Sequence, residues 1–444
     1  MCRRVRHYYA VRLQKPREIA FRVLRRRDAG VDFVENLLDV ELSTARLTGP
    51  DRALVQELAY GVVRWQAALD WLIARRTGDR DQKPALRTLL RLGLYQIFWL
   101  DRVPDHAAVN ETVDLARQAG FGPQAGFVNA LLRGYAREKE ATRRQLADLK
   151  SSDPAAGWSH PGWLVERWRQ LTDAASLARL LEWNNTPPRT LARVNTLRSE
   201  AGKLLEQWRD ENVDYDFGRW DWVPEGLVFE LKSHPPLATL PSFRAGGFYV
   251  QDPSTLLAAR VLDPQPGETV LDLCAAPGGK TTFLAQQMQN QGRIVAADNS
   301  PDRLTLLREN CARLGVTCVT AVAATGLAAG PAALFDRVLV DAPCSNTGAL
   351  RRRVDLRWRL RPEEIGRLAA AQAALLDRAA ASVRPGGVLV YSTCSLEPEE
   401  NGGVVAGFLG RHAEFTVENR RTVTPFADGA DGAFVARFRR APAA

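Results

Sequence analysis

The chain has 444 residues, 45 % hydrophobic and 25 % charged, with a net charge of +9, the make-up of a globular protein too long for one core, so about two or three domains are expected. No apolar run approaches the ~18 residues of a membrane span, and none follows the basic N-terminus as a secretory signal requires. Six scattered cysteines without a CxxC pair argue against a disulfide framework or structural zinc, so a monomeric, metal-free cytoplasmic protein with an arginine-rich surface suited to nucleic acid is expected.

From residue 14 to 150 the pattern is helical. Ile19, Ala20, Val23 and Leu24 repeat at helical spacing, and DRALVQELAYGVVRWQAALDWLIARR does so again behind Asp51 as an N-cap. ALRTLLRLGLYQIFWL is a third helix, whose stripe Leu89, Leu92, Tyr95, Phe98 and Trp99 reads as core. HAAVNETVDLARQ and FVNALLRGYARE follow. This is an all-α domain. Residues 151–163, rich in Pro, Gly and Ser, read as a linker. Residues 151–245 form a small α+β module, with helices near 163–171, 174–183 and 199–211 and strands near TLARVNTL, 213–217 and 226–231.

From residue 246 to 444 strands and helices alternate. ETVLDLC, GRIVAAD, TCVTAV, FDRVLVDAP and GGVLVYSTC are strands, with helices between them, and AFVARFRR is a late, antiparallel strand. Apolar strands alternating with helices specify a doubly wound α/β sheet covered on both faces. In such sheets ligands gather beyond the carboxyl ends of the strands. Two cysteines lie there, Cys344 in VLVDAPCSNTG and Cys394 in VLVYSTCSLEPEE, with Asp341 three residues before Cys344. A free cysteine ordinarily ends as a small buried hydrophobe. At a strand end it can instead be a nucleophile, with the carboxylate managing protons.

DLCAAPGGKTT follows the first of these strands and opens a helix. It nearly spells a phosphate-binding GxxxxGK[ST] loop, but Cys274 replaces the first glycine and Pro277 removes a backbone N–H that a phosphate cradle needs. Adjacent Gly278 and Gly279 also exclude a GxGxxG turn. A ligand carrying adenosine and a charged amino-acid tail, S-adenosylmethionine, fits better. Asp298, ending the next strand, is placed to accept from ribose hydroxyls or to cap the following helix. Past the DAPC motif, Arg351, Arg352, Arg353, Arg357 and Trp358 combine positive charge with an aromatic face, a pattern suited to RNA.

CAAPGGKT, DAPCSNTG and YSTCS, in this order and strand context, resemble the RNA 5-methylcytosine methyltransferases, which share a Rossmann-like class I fold. PREIAFRVL, DRALVQELAYGVVRW, LRLGLYQIFWLDRVPDHAAVNE and GFVNALLRGY are similar to the NusB-like RNA-binding domain, a pairing that within this family implies ribosomal RNA of the small subunit as partner. The resemblance implies Cys394 as nucleophile, Cys344 as the thiol of product release and Asp341 as the acid beside the cytosine ring. It further implies Cys274, Ala275, Ala276, Pro277, Gly278, Gly279 and Lys280 as the loop for the methionine end of S-adenosylmethionine, and Asp298 as its ribose carboxylate. The family usually reads DAPCSGTG or DAPCSATG, whereas Asn346 fills that slot here. An aspartate that follows the third strand in the family is absent from Ala321, Val322, Ala323, Ala324 and Thr325, which leaves backbone or Thr325 to meet adenine. A transfer-RNA substrate, or a non-catalytic RNA-binding role for the helical half, are the alternatives.

Overall fold

A computed structural model describes residues 15–78, 80–324 and 335–443. The chain forms two compact units: one runs to Asn185 and takes in Arg353–Arg359, and the other holds Thr186–Arg352 and Leu360–Ala444.

In the first unit the described regular structure is helical. Helix Pro84–Trp99 is buried nearly all round, as a helix apolar on every face must be, and Leu89, Leu92, Tyr95 and Phe98 lie in the core with Trp99 packed against it. The apolar stretch expected as one helix over residues 51–76 is two, Gly49–Arg64 and Gln66–Thr77, broken at Trp65. Thr48, not Asp51, caps the first. Its hydroxyl accepts from Asp51 N at 3.3 Å and donates to the Asp51 carboxylate at 2.7 Å. Residues 151–163 are a packed corner rather than a linker. Asp153 caps the short helix Pro154–Gly157, Ser159 and His160 are buried, and Lys150 lies 4.0 Å over the Trp158 ring. Gly157 permits this because a Cβ there would meet the Lys150 backbone at 2.5 Å.

The second unit carries two sheets. Strands β1 (Thr190–Val194), β2 (Asp214–Phe217), β3 (Val228–Ser233) and β4 (Phe248–Val250) form an antiparallel sheet in the order β2-β3-β1-β4. The sequence pattern starts the large α/β region at residue 246; β4 instead pairs Phe248 with Val194 at the edge of the small sheet, because Phe248 belongs to that sheet's core around Trp208 and Phe229. The large sheet holds β5 (Thr269–Leu273), β6 (Arg293–Asp298), β7 (Val319–Ala323), β8 (Phe335–Asp341), β9 (Val383–Thr393), β10 (Phe415–Val423) and β11 (Ala433–Arg440) in the order β10-β11-β9-β8-β5-β6-β7. β9-β8-β5-β6-β7 are parallel, and β11 pairs antiparallel with both β9 and β10. Successive β9 side chains enter opposite cores: Val388 and Val390 join helices Ser254–Leu262 and Gly279–Gln287, and Leu389 and Tyr391 join helices Pro362–Ala381 and Val404–Arg411. Both faces are thereby covered, which is why these strands read as nearly continuous apolar runs. The chain leaves β5 for β6 and β7 on one side and returns to β8 and β9 on the other. The gap between the β5 and β8 ends is the switch point where such sheets bind ligands.

Candidate active site

Strand register brings the two cysteines together. Parallel pairing sets Asp341 of β8 beside Ser392 of β9, and Ala342 N donates to Ser392 O at 2.9 Å, so the following loops leave the sheet side by side. Their sulfurs lie 3.3 Å apart, and Cys394 N donates to Cys344 Sγ at 3.3 Å. Asn346, in the left-handed region at φ 55°, donates through Nδ2 to Cys344 O at 2.6 Å, and its Oδ1 accepts from Cys394 Sγ at 3.0 Å. The hydrogen bond to Cys394, together with burial, pushes the Cys344 thiol well up. Cys344 is buried and Cys394 partly exposed.

Beneath the pair lies a carboxylate that sequence reasoning missed. Glu400, fully buried, accepts from Ser345 N at 2.9 Å, Gln372 Nε2 at 2.8 Å, Ser395 Oγ at 2.5 Å and Ser345 Oγ. Ser345 follows Cys344 and Ser395 follows Cys394, so one side chain ties both loops. Asn401 extends the tie by accepting from Thr393 Oγ1 at 2.6 Å and donating to Ser395 O at 2.9 Å. Thr347 Oγ1 accepts from Leu396 N at 2.9 Å, and Gly348 N donates to Cys394 O at 2.9 Å. The signal available was EEN five residues beyond the second cysteine, at the mouth of a helix. Nothing local tells it from a solvated acidic turn.

The Gly-rich loop faces this pair across the switch point. Lys280 Nζ, near the start of helix Gly279–Gln287, reaches Asp341 Oδ2 at 2.6 Å, while Asp341 Oδ1 accepts from Ser392 Oγ at 2.8 Å. Burial works to lower the Lys280 ammonium, but the charge and hydrogen bond of Asp341 outweigh it and hold it above its ordinary value. Cys274 turns the loop at φ 62°, Gly278 at φ 102°. Ala275 N donates to Ala297 O at 2.9 Å, binding the loop to the end of β6. Burial, followed by Asp341, Asp272 and Asp298, pushes the Cys274 thiol up to about 12, so it stays protonated and inert. Asp298 secures the loop: Oδ2 accepts from Ala276 N at 3.1 Å, Oδ1 from Ser300 N at 3.0 Å, and Arg303 stands 3.5 Å away. Its predicted cap function is met instead by Ser300, whose hydroxyl accepts from Arg303 N.

Asp272, also unanticipated, is fully buried on β5. Its Oδ2 accepts from Thr281 Oγ1 at 2.7 Å, while Oδ1 has no hydrogen-bond partner among the described residues. Burial raises it to about 7. A further unforeseen group, Arg193 of β1, is buried with no ion-pair partner among the described residues. It donates to Gly279 O at 3.0 Å, Gln251 Oε1 at 2.7 Å and Thr282 Oγ1 at 3.1 Å, fixing the start of the loop's helix.

The arginine cluster expected to grip RNA is largely spent inside the protein. Arg351, 2 % exposed, and Arg352 converge on Asp252 and Asp431, with Arg352 Nε 2.7 Å from Asp431 and its NH2 2.8 Å from Asp252. Arg357, fully buried, donates to Ser159 O at 3.1 Å, Asn185 Oδ1 at 2.8 Å and Asn184 O at 2.8 Å. Burial, then Arg64, lowers it to about 9. Trp358 Nε1 donates to Val63 O at 2.8 Å and its ring packs against the helical core. A buried guanidinium must find acceptors, and Arg351 and Arg357 have done so within the chain, which takes these two out of the expected RNA contact; Arg352 and Trp358 are partly buried. Arg353 is exposed. Thr325, expected near adenine, lies outside the described residues. Among the described residues no group of three or more His, Cys, Asp or Glu could hold a metal, and no helix is long and apolar enough to cross a membrane.

A doubly wound sheet with a Gly-rich loop, a lysine–carboxylate bridge and two thiols at its switch point defines a class of Rossmann-like group-transfer enzyme. The family described as 16S rRNA methyltransferase RsmB/F matches residues 259–439, the NusB family residues 14–137, and the RsmF/B-like ferredoxin-like domain residues 160–234. The chain is 37 % identical over 96 % of its length, and 99 % of the relative's, to the probable ribosomal RNA small subunit methyltransferase B of Synechocystis sp.. The crystal structure of PH0851 superposes with a TM-score of 0.78 at 26 % identity, covering 96 % of this chain and 99 % of that one. NSun6 from Pyrococcus horikoshii, crystallised with SFG, matches at 25 % identity and TM-score 0.57 over 64 % of this chain and 99 % of its own. The chain belongs to the RsmB/F methyltransferase family, with a NusB domain ahead of its methyltransferase domain. It is a methyltransferase.

Proposed function

We propose that this enzyme methylates carbon 5 of a cytosine in 16S ribosomal RNA, using S-adenosylmethionine and a transient bond between Cys394 and carbon 6 of the base. The observation that carries this reading is the pair of thiols 3.3 Å apart at adjacent strand ends, with Asp341 three residues before one of them. Residues of the Gly-rich loop fit the methyl donor: Asp272 Oδ1 is a buried acceptor beneath the loop, with no partner among the described residues, and suits an ammonium group. Residues 274–280 would hold the methionine end and Asp298 the ribose. S-Adenosylmethionine supplies, when bound, an electrophilic methyl group on a sulfonium.

Carbon 5 of cytosine is a weak nucleophile until a thiolate adds at carbon 6 and breaks the ring's aromaticity. Cys394 is the better attacker, because Cys344 is the thiol held protonated by its hydrogen bond and by burial. The proton of the Cys394 thiol would pass through Asp341 to ring nitrogen 3 as the sulfur adds and return to Asp341 as it leaves, with Lys280 balancing the carboxylate in between. Once Cys394 is bonded to carbon, Cys344 loses the hydrogen bond that chiefly keeps it protonated. Its own proton would pass to solvent, and as a thiolate it would take the proton from carbon 5 once that carbon carries the methyl group, so that Cys394 leaves as a thiolate and the ring double bond re-forms. The target base must leave its stack to reach these groups.

The test is bisulfite mapping of 16S ribosomal RNA from a strain lacking the gene, complemented with wild type or Cys394→Ala. One cytosine protected by wild type and left unprotected by the variant supports the reading. Equal protection by both contradicts it.

A further inference from the structure

The geometry points to Asn346 as a restraint on the Cys394 thiol: we infer that its carboxamide closes a hydrogen-bonded ring that holds the resting sulfur as a neutral thiol turned toward Oδ1. This rests on Cys394 being the nucleophile. The ring can be followed atom by atom. Asn346 Nδ2 donates to Cys344 O at 2.6 Å, which fixes the orientation of the amide, since the opposite orientation would set two oxygens against each other. Oδ1 must then face Cys394 Sγ, which lies 3.0 Å away and donates to it. With its single hydrogen committed there, Cys394 can only accept across the 3.3 Å sulfur–sulfur contact, so Cys344 is the donor of that bond.

An acceptor oxygen aimed at a sulfur favours the S–H form and repels a thiolate. Asn346 therefore slows attack by the resting enzyme until an entering base displaces the contact. The residue sits at φ 55°, a conformation open to asparagine and glycine at little cost, so Asn346→Gly removes the amide without straining the turn.

The experiment is iodoacetamide labelling from neutral to alkaline pH without RNA, read by peptide mass spectrometry, with the partly exposed Cys318 as internal reference. Asn346→Gly should label Cys394 about two- to tenfold faster than wild type, the ratio set by one hydrogen bond of ordinary net strength. Its labelling should also rise at lower pH than in wild type, because a thiol freed of that acceptor ionises more readily. If labelling speeds up with no shift along the pH axis, the amide only packs the loop; if Asn346→Gly is unchanged or slower, the amide is inert or assists the thiolate. Either result overturns the inference. Labelling is read without methylation, so failure of the nucleophile assignment would appear separately, as methylation retained by Cys394→Ala.

Discussion

Glu400 is fully buried and receives four hydrogen bonds; its removal leaves Ser345 N without its acceptor and takes one partner each from Ser345 Oγ, Ser395 Oγ and Gln372. Each buried donor left unsatisfied costs about 1–3 kcal/mol, so Glu400→Ala should destabilise the protein by about 3 kcal/mol or more in urea unfolding. A loss below about 1 kcal/mol would show that the network is not the tie between the cysteine loops. Asp272 makes a pH-dependent contribution instead. Its folded pKa, raised by burial to about 7, exceeds that of an exposed aspartate, so the folded chain holds a proton that the unfolded chain releases. Stability from this group therefore falls as pH rises from about 4 to about 7. Asp431, raised to about 6 chiefly by burial and then by Asp252, acts in the same direction. Thermal melting of the ligand-free protein across this window should show a shallower fall for Asp272→Asn than for wild type. Parallel curves would contradict the assignment.

At the scale of elements, the segment Arg353–Arg359 separates two readings of the same residues. A surface arginine binding phosphate could be lost without harm to the fold, but Arg357 serves two carbonyls and an amide oxygen inside the helical unit. Arg357→Ala is expected to destabilise the chain by about 2–4 kcal/mol in chemical denaturation. Unchanged stability with weakened RNA binding would restore the discarded reading. The sequence could not decide this, because the acceptors come from Ser159, Asn184 and Asn185, nearly two hundred positions away. The parallel strands were legible for the opposite reason: burial on both faces makes each a short apolar run. β10 escaped notice because, as the outer strand, it carries an unbroken polar run from Glu418 to Thr422, and β4 because three residues carry no pattern.

At the scale of the whole molecule, strand order and register join motifs that stand some fifty to seventy residues apart. Cys344, Cys394, Asp341 and Lys280 could be singled out from the sequence because each lies at a strand end or in the loop that follows. Glu400, Asn346 and Asp272 acquire their roles only from what packs around them, and no spacing announces that. The central claim is that the sulfur of residue 394 bonds to the base and that Cys344 is needed to release it. The most direct measurement is denaturing electrophoresis of Cys344→Ala and Cys394→Ala after incubation with small-subunit ribosomal RNA and S-adenosylmethionine. The account predicts that Cys344→Ala accumulates a nuclease-sensitive protein–RNA adduct while Cys394→Ala forms none. An adduct on Cys394→Ala with none on Cys344→Ala would contradict it.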